Sequence, residues 1–118
     1  MAATDQIAFA TPTRTINEQS TMVVSARFRN RAAAADATTP TNVKYQLTDV
    51  PSGTILTDFT TVTPANPVSI TLSTTQTKIL NDTRGLEKKR LTVAVDYGLA
   101  TQFIDSMTFD VRNLSGLL

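Results

Sequence analysis

Asp96, Asp105 and Asp110 are the carboxylates whose type and spacing could support chemistry, because they lie on or beside the last expected hairpin. Paired carboxylates can flank a scissile glycosidic bond or hold calcium. No acidic ligand spacing of a recognised kind surrounds them. The plainer expectation is surface strand polarity, with pairing to Arg90 and Arg112. The chain has no histidine and no cysteine. Ser-His and Cys-His nucleophilic sites, the usual zinc ligands, disulfides and the commonest general base are therefore excluded. Its four glycines are scattered at expected turns and form no phosphate-binding loop. The expectation is a protein that is not an enzyme, with no cofactor and no metal site.

Two basic groups remain as binding candidates. Arg27, Arg29 and Arg31 alternate on one wet strand face, and Arg84, Lys88, Lys89 and Arg90 form the second group. Net charge is only +1, and aromatic residues are not interleaved with the basic ones. Nucleic acid is therefore not an expected partner. Contact with an acidic protein surface and ordinary solvated strand faces both stay open. The closing segment is apolar at Leu114, Leu117 and Leu118. Such a tail either packs on its own domain or adds to a neighbour.

These residues must be held by strands. Met22-Val23-Val24-Ser25-Ala26-Arg27-Phe28-Arg29 alternates apolar and polar. The same beat returns at Val43–Leu47, Val68–Leu72, Leu91–Val95 and from Phe103 to Val111. Successive strand side chains point to opposite faces, so each run offers one apolar and one wet face. Seven strands are expected, at 7–10, 21–29, 42–49, 55–63, 68–73, 86–97 and 102–112. That pattern predicts a small all-β sandwich.

At 118 residues, with 41% apolar content, the chain is expected to be one domain over 1–118 with a core of its own. A turn is expected at 16–20. Hydroxyls should cap a second turn within 73–82, where Ile79 and Leu80 would plug the sandwich end. Residues 30–41, which include Ala33 and Ala34, are expected to be a flexible loop, and 113–118 a tail. The N-terminus lacks the basic start and apolar core of a signal peptide, and no apolar stretch is long enough to span a membrane. Synthesis in the cytoplasm without a membrane partner is the expectation.

A resemblance adds to this reading. It rests on Ile16-Asn17-Glu18 with Ser20-Thr21, on Thr41-Asn42-Val43-Lys44-Tyr45-Gln46-Leu47, and on Ser52-Gly53-Thr54-Ile55-Leu56-Thr57-Asp58-Phe59-Thr60. Val68-Ser69-Ile70-Thr71-Leu72, Lys78-Ile79-Leu80-Asn81, the run from Lys88 to Gly98 and the run from Val111 to Gly116 continue it. Together these stretches resemble small immunoglobulin-like structural proteins of tailed bacteriophages and prophages, over about 16–116. Phe59 stands where a tryptophan is common in that group, which implies a core aromatic. The alanine-rich loop departs from the group's pattern.

The resemblance implies an immunoglobulin-like antiparallel β-sandwich of about seven strands, located in a virion. Its implied task is capsid decoration or cement, bridging subunits of the major capsid protein, with other virion proteins or further copies of itself as possible neighbours. The expected contact residues are Arg27, Arg29 and Arg31, Ala33 and Ala34 in the loop, and Leu114, Leu117 and Leu118 in the tail. Two alternatives differ in class. A head-tail connector or tail component would assemble into a ring. A carbohydrate- or host-surface-binding module would need exposed aromatics, whereas the chain has no tryptophan and its two tyrosines, Tyr45 and Tyr97, lie on expected core faces.

Overall fold

The computed structural model describes residues 6–11, 15–30, 35–36, 39–79, 85–97 and 102–113. These residues form nine strands and no helix: β1 (Gln6–Ala10), β2 (Thr15–Asn17), β3 (Met22–Asn30), β4 (Ala35–Asp36), β5 (Asn42–Asp49), β6 (Ile55–Val62), β7 (Val68–Leu72), β8 (Leu86–Asp96) and β9 (Gln102–Arg112). All seven expected strands are present, each within one residue of its expected ends. β2 and β4 are additions of three and two residues. β2 starts one residue before the expected 16–20 turn and ends inside it, and the turn itself closes at Glu18 and Gln19, where Gln19 has φ 57°.

The strands divide between two sheets. In the first, β3 pairs with β1 along one edge and with β7 and β4 along the other. The second has the order β2-β9-β8-β5-β6. Most pairing is antiparallel, but β2 runs parallel to β9, which corrects the expectation of a wholly antiparallel fold. Parallel neighbours need a long crossover, and six strands and their loops lie between β2 and β9.

Alternation decides which residues are inside. Met22, Val24, Ala26 and Phe28 of β3 are buried, with Val68, Ile70 and Leu72 of β7 beside them. From the second sheet come Val43, Tyr45 and Leu47, then Leu91, Val93 and Val95, then Met107, Phe109 and Val111. All of these belong to one cluster, so the two inner faces share a core in a sandwich-like arrangement. Burying a side chain the size of Phe28 contributes about 1.5–3 kcal/mol. Ile79 packs against this core as expected, and Leu80 lies outside the described residues.

A side chain completes one ladder. β7 pairs with Met22 to Ala26 and β4 with Arg29 and Asn30, which leaves Phe28 between them. Asn66 fills that gap. The Phe28 N–H donates to Asn66 Oδ1 at 2.9 Å, and Asn66 Nδ2 donates to the Phe28 carbonyl at 2.9 Å. The Asn66–Pro67 peptide bond is cis.

β6 is an edge strand with mostly exposed side chains, and among the described residues it pairs with β5. The register shifts between Tyr45 and Leu47. There Asp58 Oδ1 accepts from the Phe59 N–H at 2.8 Å and from Gln46 Nε2 at 3.1 Å. Phe59 is 41% exposed, so the expected core aromatic is corrected to a surface one. Lys44 covers its ring at 5.0 Å from the centroid. Leu56 and Val62, three residues to either side, pack against the core, so alternation from either one sets Phe59 on the outer face.

Candidate functional site

The outward face of the first sheet is set by the beat of β3. Val23, Arg27 and Arg29 are exposed while their neighbours enter the core. Across the ladder Arg27 faces Ala8 and Arg29 faces Gln6 on β1, and Arg29 is also the register partner of Asp36 on β4. Ser25 faces Ala10 on one side and Ser69 on the other, and Val23 faces Thr71. Arg27 and Arg29 therefore share an exposed face with mostly short side chains across the ladder. Of the expected contact residues, the structure brings together Arg27 and Arg29. Arg31, Ala33, Ala34, Leu114, Leu117 and Leu118 lie outside the described residues. In the expected 30–41 loop, Asn30 ends β3 and Ala35–Asp36 form β4.

The second basic group does not form as expected. Lys88 and Arg90 are exposed, Arg84 lies outside the described residues, and Lys89 is completely buried. Lys88 pairs with Asp110 at 3.2 Å, an exposed pair of the kind that contributes about 0–1 kcal/mol. Asp96 Oδ1 accepts from Asn42 Nδ2 at 2.8 Å, and Asp105 Oδ1 from the Ser106 N–H at 2.8 Å. Asp105 and Asp110 are five residues apart on one strand and so point to opposite faces. They cannot flank one bond. Among the described residues, no group of three or more acidic, histidine or cysteine side chains is placed to hold a metal ion.

Lys89 belongs to a buried ion cluster. Its Nζ donates to Asp49 Oδ1 at 2.9 Å and to Glu87 Oε1 at 2.7 Å. The three side chains are 0, 2 and 1% exposed, in the order Lys89, Asp49, Glu87. Asp49 and Lys89 are register partners across β5 and β8. On the other side, Lys89 faces Phe109 and Glu87 faces Val111 on β9. Asp49 Oδ2 accepts from Ser52 Oγ at 2.6 Å and from the Ser52 N–H at 3.2 Å. Burial pushes the Asp49 carboxyl up. The bonds from Ser52 and Lys89, with the Lys89 charge, outweigh burial and hold it below its ordinary value of 3.8.

This cluster was missed because its residues were sorted by charge, although the sequence carried a signal. Glu87 and Lys89 share parity with Leu91, Val93 and Val95, and Asp49 shares it with Val43, Tyr45 and Leu47. Carrying the two-residue beat to the strand ends places all three ions on the core face.

No protein-family model, curated protein or solved structure matches this chain.

Proposed function

We propose that this chain is an immunoglobulin-like module of a phage virion that decorates or cements the capsid by bridging subunits of the major capsid protein. Strand order supports the immunoglobulin-like part. Such sandwiches place strands A, B and E on one sheet and C, F and G on the other. Here β1, β3 and β7 would take the first set of places and β5, β8 and β9 the second, with β6 an added edge.

The observation that carries the docking part is the exposed Arg27–Arg29 face, with Ala8, Ala10, Ser25 and Ser69 as short neighbours. Short neighbours let a flat partner surface approach, and guanidinium groups match carboxylates bidentately. A lattice of capsid subunits would supply avidity to modest single contacts. Binding only the assembled shell would stabilise it by mass action. The tail at Leu114, Leu117 and Leu118 joins this proposal on sequence grounds, and truncation after Asn113 without loss of particle binding removes it.

Cryo-electron microscopy of the encoding virion tests the reading. Density repeating over the capsid lattice, with the arginine face toward the shell, is the expected result. Density confined to the neck or tail overturns it. That outcome would favour a ring-forming connector, for which the eight-residue edge β6, with Asp58 its one charged residue, offers a pairing surface. A closed ring in solution would support that second reading.

A further inference from the structure

We propose that the buried cluster is a self-reacting site in which Lys89 Nζ and Asp49 Cγ condense to an isopeptide bond joining β5 to β8, with Glu87 as the proton carrier. Four requirements of amide formation meet there. The nucleophile is a primary amine held 2.9 Å from a carboxylate oxygen. A second carboxylate oxygen sits 2.7 Å from the same nitrogen, ready to accept its proton. Two donors from Ser52 hold the other oxygen of Asp49, at 2.6 and 3.2 Å, where negative charge would collect in a tetrahedral intermediate. The three reacting side chains are at most 2% exposed, so water is kept from reversing the reaction. Cross-strand register fixes Lys89 and Asp49 opposite each other, which converts a bimolecular condensation into an intramolecular one.

The balance closes without any other reactant. The ammonium gives one proton to Glu87, and the freed lone pair attacks Asp49 Cγ to form the N–C bond. Charge moves onto Oδ2 against the Ser52 donors. The nitrogen then releases a second proton. Both protons reach Oδ1 through Glu87, the Cγ–Oδ1 bond breaks, and Oδ1 leaves as water. Ammonium and carboxylate have become an amide and one water, and Glu87 ends ionised as it began. Asp49 is held as an anion, which resists attack, so the reaction is a slow single event that quickens as pH falls toward the carboxylate range.

Intact-mass spectrometry of the purified full chain, followed during prolonged incubation at its host's growth temperature, tests this. The expected result is a mass lower by one water. A branched tryptic peptide should then join the segment holding Asp49 to the one holding Lys89, with no cleavage after Lys89. Glu87→Gln should keep the full mass while remaining folded by circular dichroism, and Lys89→Met should keep it whether folded or not. A wild-type chain that retains its full mass overturns the proposal, as does a water loss mapped to any other pair of residues. Linkage in Glu87→Gln as fast as in the wild type overturns the role given to Glu87.

Discussion

Replacing Lys89 with methionine keeps most of the side-chain volume and removes the ammonium that Asp49 and Glu87 both contact. In the ion-paired state, both carboxylates are nearly inaccessible to water. Breaking a buried pair by deleting one partner costs about 3–5 kcal/mol, because a charge is left where water cannot reach it. The whole domain should have about 5–15 kcal/mol of stability. For 118 residues the unfolding entropy is about 0.25 kcal/mol/K. The expected fall in Tm is therefore about 12–20 °C. Asp49→Asn should cost less, about 1–3 kcal/mol, since Lys89 then keeps Glu87 and the fold loses one hydrogen-bond set.

Urea denaturation at several pH values, on wild type whose intact mass shows no loss of water, checks this and separates charge from packing. In the wild type the Asp49 carboxyl is held below 3.8. Its contribution is fully present above that value and is lost as pH falls through the lowered folded value. In Lys89→Met the sign reverses, because protonating a buried carboxyl relieves the cost. The gap between the two proteins should therefore narrow as pH falls from about 7 toward about 4. A variant that loses less than about 1 kcal/mol at neutral pH would refute the reasoning. So would a gap that stays constant across the range in protein of full mass, which is the signature of lost packing.

Three further outcomes are expected. Asn66→Ala removes both bonds to the Phe28 backbone and should cost about 1–3 kcal/mol by urea denaturation; Asn66→Asp keeps the acceptor for the Phe28 N–H, turns a carboxylate oxygen on the Phe28 carbonyl, and should cost as much. Gly53 has φ 74° and no atom within 4 Å of an added Cβ, so Gly53→Ala should cost about 1–2 kcal/mol through backbone strain alone, while Gly53→Asn should cost less. Arg27→Glu with Arg29→Glu should leave stability within about 0.5 kcal/mol and abolish cosedimentation with the encoding virus particles; retained cosedimentation would show that another face docks.

Much of the fold was legible because a half-buried strand writes its two faces into the sequence. The run from Met22 to Arg29 shows this most plainly, and Arg27 and Arg29 were placed on the wet face by the same beat that put Phe28 in the core. β2 and β4 were not legible. With three and two residues they are too short to show a period, and their pairing is supplied by Asp110 to Arg112 of β9 and by Arg29 and Asn30 of β3. Phe59 was misplaced because a core aromatic was what the resemblance implied, whereas the beat carried from Leu56 or Val62, which pack against the core, sets Phe59 outward. Lys89 was misplaced for a different reason. Residue type argued for water, parity argued for the core, and parity won because Asp49 and Glu87 were there to receive the charge.

The same cluster explains why the end of the second sheet is defined by polar rather than apolar contacts. Asp49 joins three features at once. Its Oδ1 binds Lys89 on β8 and its Oδ2 binds Ser52 in the next turn. Its backbone closes that turn, with the Asp49 N–H donating to the Thr54 carbonyl at 2.8 Å and the Gly53 N–H donating to the Asp49 carbonyl at 2.8 Å. A well-packed apolar trio could match or exceed the stability of the ions, since burying charge costs nearly as much as pairing returns. It could not fix the turn, because aliphatic groups accept no hydrogen bond from Ser52. The ions therefore specify geometry more than they add stability. They hold the β5–β6 turn to β8, and with it the start of the exposed edge strand, in one arrangement.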